Sequence, residues 1–352
     1  TQEGVRCMKE TTNMKAVVVE TPGKLVVKEI PLDPMPGPGQ AQIRLRAAGI
    51  CGSDVHVLHG RSAFASYPRI LGHELAGEVC ALGEGVQGLA LGDHVVVDPL
   101  TACGHCYACR IGRYNVCREL KVLAAHVDGG FRQYFTVGAA NAHKISPSVP
   151  WEHAACVEPY TIAAEATQRG ELRADDAVLI CGAGPIGATI LQVVKRVGAR
   201  ALVLDNVQAR LDAMLAMGAD AVVNSAQQDV AKAVADFSGG EGMNLLFEAT
   251  GSLAVLEGCI SEWASPASRV VVLGFSSEPA SIAPIQIMKR EMDIRGSRLS
   301  CNKFDQVVGW VESGYVDPAK LISHVFPMEQ ADKAFEQIAK DPAGTMKVIL
   351  SF

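Results

Sequence analysis

The sequence predicts an α/β fold, a doubly wound parallel sheet, attached to a turn-rich β domain. Three observations predict it. Residues 177–205 run strand, glycine turn, helix, strand and acid, the order of a dinucleotide-binding unit. Residues 14–137 instead carry short β-branched runs punctuated by glycine and proline. Further strand-like runs alternate with helical stretches up to about residue 274, as parallel strands linked by helices require. A chain of 352 residues has length for two domains with real cores.

In chain order, residues 16–19 and 25–30 read as strands, residues 31–39 with four prolines and two glycines as a loop, and residues 42–46 as an alternating strand. The β pattern continues over residues 78–98, where Gly83, Gly85, Gly88 and Gly92 mark turns. Gly129-Gly130 turns into a strand at 134–137. Residues 151–168 are alanine-rich and form a helix interrupted at Pro159, which aims Glu158 inward from irregular backbone. Strands at 177–181 and 202–205 flank a helix at 188–197, and strands at 221–223, 245–248 and 269–274 follow. The tail reads as helix 304–312, strand 323–326, helix 329–339 and strand 346–352. Met14 reads as a natural start, with residues 1–13 as an extension.

Composition narrows the function classes. A net charge of −6 argues against nucleic-acid binding. No apolar run approaches the roughly 18 residues of a spanning helix, so the expectation is a soluble protein. Eleven cysteines is an odd count, and four of them crowd between Cys103 and Cys117. Metal-bound thiolates in a reducing compartment, the cytoplasm, explain this better than disulfides.

Two stretches carry metal chemistry. Gly49-Ile50-Cys51-Gly52-Ser53-Asp54-Val55-His56, followed by Gly72-His73-Glu74, holds a thiol, imidazoles and a carboxylate, the donors zinc prefers. Cys51 and His73 are candidate ligands of a catalytic metal, and Ser53 and His56 candidate carriers of a proton away from it. Cys103, Cys106, Cys109 and Cys117 can converge on a second zinc, and a closed four-thiolate shell is structural. His105 lies inside that loop, but four cysteines already fill the shell. The remaining histidines, among them His59, His94, His143, His153 and His324, read as surface or satisfied residues.

A third stretch carries the cofactor. In Gly182-Ala183-Gly184-Pro185-Ile186-Gly187, Gly182 permits the turn, Gly184 admits the pyrophosphate and Gly187 lets helix and strand pack. The helix start supplies amides to the phosphates. Asp205 can accept both ribose hydroxyls and repels a 2′-phosphate, which favours NAD over NADP. Arg210, Thr250, Gly274 and Phe275 are further cofactor candidates, the last three at strand ends where such sheets bind ligands.

These motifs, in this order, resemble the zinc-dependent medium-chain dehydrogenases of the alcohol, sorbitol and threonine dehydrogenase superfamily, from Met14 onward. The resemblance implies a GroES-like β-barrel catalytic domain (14–160), an inserted NAD-binding Rossmann domain (161–297) and a return to the catalytic domain (298–352). It implies Cys51, His73 and Glu158 as catalytic zinc ligands, with Glu74 outside the shell or alternating into it. Cys156 competes with Glu158 for the third place, and the Val157-Glu158-Pro159 run favours the glutamate. It also implies one catalytic and one structural zinc per subunit, NAD, and a homodimer or homotetramer, for which the sheet edge near 268–275 is the expected contact.

Within the superfamily, Phe64-Ala-Ser-Tyr-Pro-Arg-Ile-Leu-Gly-His73, Ala125-His126-Val-Asp128-Gly-Gly and Ser297-Arg298-Leu resemble bacterial oxidoreductases that include L-galactonate and L-gulonate 5-dehydrogenases and the starvation-sensing zinc protein. That likeness implies oxidation of a secondary hydroxyl of a sugar acid. A neutral polyol or L-threonine is the alternative substrate, and a non-catalytic zinc- and NAD-binding metabolite sensor the alternative class. A sugar acid needs a cation or donors at the far end of its pocket; His126, Arg132 and Arg298 are the candidates. Three protein ligands leave zinc one open position, where it acidifies a bound hydroxyl. Ser53 and His56 then carry the proton outward, a task suited to an imidazole with its pKa of about 6.5.

Overall fold

The structure, a computed structural model, describes residues 12–352. All but the last two residues of the expected extension lie outside the described residues. The chain forms two compact units, one ending at Glu158 and resuming over Phe304–Phe352, the other spanning Pro159–Lys303.

The first unit is built on strand Gln40–Ile50, which pairs antiparallel with Glu74–Leu82 and Lys347–Ser351 and, near its start, with Tyr134–Gly138. The seven-stranded sheet runs Ala142–Lys144, His94–Val97, Glu74–Leu82, Gln40–Ile50, Lys347–Ser351, Ile322–Pro327, with Tyr134–Gly138 off this path. Helix Ala331–Lys340 is the crossover that the parallel pair Ile322–Pro327 and Lys347–Ser351 needs. A three-stranded sheet places Asn13–Thr21 between Lys24–Pro31 and Arg69–Ile70. Val17, Val19, Ile43, Leu75, Phe131, Phe135 and Leu350, all nearly inaccessible, join the two sheets in one apolar core.

The second unit is a six-stranded, all-parallel sheet in the order Ala221–Asn224, Arg200–Asp205, Ala177–Cys181, Met243–Glu248, Ala264–Val272, Asp293–Gly296. The direction of winding reverses at Ala177–Cys181, so the glycine turn leaves the sheet at its switch point. Val178, Leu179, Ile180 and Cys181 are fully buried, as expected for a strand covered on both faces. Helix Pro185–Val197 begins three residues earlier than expected, because Pro185 at its first position has a preset φ and no amide to satisfy.

Three other expectations are corrected. The break in the 151–168 helix falls at Cys156, between Trp151–Ala155 and Val157–Arg169, and not at Pro159. Pro159 sits in the first turn of the second helix, where a missing N–H costs no hydrogen bond. Residues 268–275 are not a sheet edge, since Ala264–Val272 is covered by Asp293–Gly296. A short helix, Gly52–Leu58, follows Cys51 and is absent from the sequence-based expectation. Among the described residues, no helix is long and apolar enough to cross a membrane.

Candidate active site

Cys51 ends the central strand and caps helix Gly52–Leu58. The Asp54 carboxylate, 1% exposed, accepts from the Cys51 amide through Oδ2 (3.0 Å) and from the Gly72 amide through Oδ1 (3.0 Å). The same Oδ1 lies 3.8 Å from His73 Nδ1. One buried carboxylate thus ties together the two segments bearing Cys51 and His73. Sequence reasoning missed Asp54. Its signal is the acid three residues after an N-cap, which closes a capping box on Cys51.

Glu74 begins its strand opposite Gly49, where a β-carbon would come within 1.9 Å of Glu74 Oε2. Both Glu74 oxygens accept from Lys347 Nζ, at 2.6 and 2.8 Å, and the ammonium also donates to the Ile50 carbonyl at 3.2 Å. Glu74 and Lys347 are 1% and 2% exposed. Burial opposes the charge on Lys347, but Glu74 and Cys51 outweigh it and hold its pKa above the ordinary lysine value. Sequence reasoning missed Lys347 as well.

The sulfur of Cys51, a ring nitrogen of His73 and an oxygen of Glu74 lie within 4.8 Å of one another. The carboxylate oxygen within that distance belongs to Glu74, which adjoins His73 and is held by Lys347. Glu158, in the first turn of helix Val157–Arg169, is buried nearby. Burial, reinforced by Glu74, pushes its pKa up to about 7 against the pull of His73 and Lys347. Burial likewise disfavours a charged His73, yet Asp54, Cys51 and Glu158 around it raise its pKa well above the ordinary value. Asp54 is itself raised, mainly by burial.

The donor chemistry tests for a metal. The Cys51 thiol, the His73 imidazole and the Glu74 and Glu158 carboxyls gather beside Lys347, and a thiolate, an imidazole and carboxylates are donors that zinc takes. The donor set fits zinc. Cys156 is fully buried, its Sγ donates to the Glu152 carbonyl at 3.4 Å, and burial pushes its thiol up to about 12. Ser53 and His56 are exposed on helix Gly52–Leu58 and, three residues apart, share a face.

Cys103, Cys106, Cys109 and Cys117 converge as expected. Their sulfurs lie 4.0 Å (Cys103 to Cys109), 3.5 Å (Cys106 to Cys109) and 3.9 Å (Cys106 to Cys117) apart. Four sulfurs about 2.3 Å from a tetrahedral ion would be about 3.8 Å apart. Amides of Cys103 and Glu119 donate to the Cys117 sulfur, which lowers its pKa, and that of Cys106 donates to the Cys103 sulfur.

In the second unit, Gly184 caps helix Pro185–Val197, and a β-carbon on Gly187 would lie 1.8 Å from the Gly182 carbonyl oxygen. Asp205 ends its strand and accepts from the amides of Ala183 (2.7 Å), Asn206 (2.8 Å) and Val207 (2.9 Å). Three of about four carboxylate acceptor sites are thereby taken, leaving less for ribose than the two contacts expected. Arg210 lies on helix Gln208–Ala216. Glu248, missed from sequence, accepts from the amides of Thr250 (2.8 Å) and Gly251 (2.9 Å) and from the Thr250 hydroxyl, so it shapes the turn after its strand.

The substrate candidates fare differently. Arg132 pairs with Asp33 at 2.7 Å, and Asp33 also accepts from the Thr136 amide. These contacts hold the 31–39 loop against strand Tyr134–Gly138. His126 accepts the Val122 amide at Nδ1 (3.2 Å), so its hydrogen sits on Nε2, and its ring packs on Phe64 with centroids 4.9 Å apart. Arg298 belongs to the other unit.

A thiol, imidazole and carboxylate set, a four-cysteine lobe and a dinucleotide turn mark a zinc-type dehydrogenase. Residues 37–147 match the alcohol dehydrogenase GroES-like domain and residues 185–313 the zinc-binding dehydrogenase domain. The chain belongs to the zinc-type medium-chain dehydrogenases and is an enzyme of the alcohol, polyol and sugar-acid kind. Starvation-sensing protein RspB of Escherichia coli K12 is 40% identical over 341 residues, 96% of this chain and 99% of RspB. L-Galactonate-5-dehydrogenase of the same strain is 30% identical over 345 residues, 97% of this chain and 100% of that one. The crystal structure of rspB from E. coli CFT073, described as a short chain alcohol dehydrogenase complexed with cofactor NADH, matches with a TM-score of 0.92 at 40% identity, covering 97% of this chain and 100% of that one.

Proposed function

We propose that this dehydrogenase oxidises a secondary hydroxyl of a sugar acid of the L-gulonate or L-galactonate type to a ketone, with zinc and NAD. The observation that carries the chemistry is the gathering of the Cys51 sulfur, a His73 ring nitrogen and a Glu74 carboxylate oxygen within 4.8 Å of one another, with the buried Glu158 close enough to raise the pKa of His73. Zinc supplies Lewis acidity to the substrate hydroxyl, and NAD takes up the hydride. Cys51, His73 and Glu158 hold the metal in this reading. Glu74, already bound through both oxygens to Lys347, is the carboxylate that stands back. Ser53 and His56 pass the hydroxyl proton to solvent along one face of their helix.

Support for the sugar-acid class comes from the L-galactonate-5-dehydrogenase relative. Support for NAD comes from Asp205 and from the relative described with NADH. The chain acts as a homodimer or homotetramer in the cytoplasm on this reading; sheet edge Asp293–Gly296 is an open surface within its unit.

The test is NADH formation across a panel of aldonates, neutral polyols and L-threonine. Highest kcat/KM on an aldonate is expected, and highest kcat/KM on sorbitol or threonine would sink the substrate class. Metal analysis checks the ligand set: Glu158→Ala loses one zinc per chain and Cys156→Ala keeps both.

A further inference from the structure

Beside the four-cysteine lobe, a second donor set faces solvent. The Cys103 sulfur, a His105 ring nitrogen and a Glu119 carboxylate oxygen lie within 4.8 Å of one another. The ring's proton is fixed by its neighbour. His105 Nδ1 is 2.9 Å from the Cys103 carbonyl oxygen, and a carbonyl only accepts, so Nδ1 carries the hydrogen and Nε2 keeps its lone pair. A backbone carbonyl behind an imidazole is the arrangement that orients metal-binding histidines. The Arg110 guanidinium donates to the His105 carbonyl at 2.6 Å and steadies the loop.

The free Nε2 faces Glu119 Oε1 at 3.8 Å, too far for a hydrogen bond. Two such donors, each about 2.0–2.2 Å from a tetrahedral zinc, would sit about 3.3–3.6 Å apart. The side chains are 75% and 68% exposed, so they are free to close that gap and to meet an ion from solution. Cys106 and Cys117, at 9% and 7% exposed, are far less open to solvent than His105 and Glu119.

We propose that Cys103, His105 and Glu119 form an exposed divalent-cation site that shares the Cys103 thiolate with the four-cysteine shell and is the port through which zinc enters and leaves that shell. Transfer is a ligand exchange with no redox step. The bond to the Cys103 sulfur is kept while imidazole, carboxylate and water are replaced by the sulfurs of Cys106, Cys109 and Cys117, whose protons pass to solvent. Leaving reverses the order.

Cadmium ion alone, added to the zinc-loaded enzyme, tests the port. Cadmium displaces zinc from thiolates and gives an ultraviolet charge-transfer band that grows with the number of sulfurs bound, so the four-thiolate centre dominates the signal. His105→Ala and Glu119→Gln should each slow its growth about tenfold, with zinc content and dehydrogenase activity before cadmium addition unchanged. Wild-type exchange rates in both variants would overturn the port, as would zinc lost from the untreated variants, which would make the two residues structural. The zinc content of untreated wild type tests the four-cysteine centre separately.

Discussion

Lys347 places its ammonium against both oxygens of Glu74 in an interior closed to water. Replacing it with methionine strands a buried carboxylate, so Lys347→Met should lower unfolding free energy by about 3–5 kcal/mol. Adding Glu74→Gln should restore most of that loss, and urea unfolding of the two variants measures both. His56 is exposed, and the proposed relay asks it only to pass a proton, so His56→Gln should fold and bind zinc normally. Its oxidation rate should fall about tenfold or more, mostly at low pH, with rescue by small external bases; rates unchanged across pH would remove the relay. Cys51, His73 and the four clustered cysteines are legible in the sequence because zinc ligands are few and their spacing is local. Asp54 and Lys347 are not, because a residue that acts through a partner is recognised only when the partner is placed. For Lys347 that partner is 273 residues away.

At the level of elements, the turn between strand Ala177–Cys181 and helix Pro185–Val197 has no slack. A methyl group on Gly187 would meet the Gly182 carbonyl oxygen at 1.8 Å, so the helix start must move off the site where phosphates bind. Gly187→Ala should weaken NADH binding by about tenfold or more, read by fluorescence titration, with zinc content unchanged. The parallel strands are legible because burial on both faces demands unbroken apolar runs such as Val178-Leu179-Ile180. Helix Gly52–Leu58 is not, because seven residues are too few to display a helical period, and its start rests on a cysteine cap closed by Asp54. The displaced break near Pro159 has a similar origin. A proline in a first turn and a proline that ends a helix look alike until the helix start is known.

For the molecule as a whole, the buried acids of the first unit link metal content to stability. Without metal, Glu158 keeps its proton up to a pH of about 7, while in the unfolded chain it releases it near its ordinary 4.5. The folded state therefore binds more protons across that window, and stability falls as pH rises from about 4.5 to about 7 and levels off above. The drop attributable to Glu158 should be about 3 kcal/mol. Chelator-treated protein should show it by urea unfolding at pH 5 and pH 8, Glu158→Gln should flatten it, and added zinc should abolish it. The two-part layout was legible from the change of pattern near residue 177. The insertion of Lys347–Ser351 beside the central strand was not, because strand pairing over such separations leaves no local mark.

That insertion also orders events during synthesis. Cys51, His73 and Glu74 leave the ribosome early, but the counter-ion of Glu74 follows 273 residues later, tens of seconds at about 5–20 residues per second. Until then the acids stand without their lysine and the central strand lacks one neighbour. A nascent chain therefore holds this carboxylate without its counter-ion until the last strand is in place.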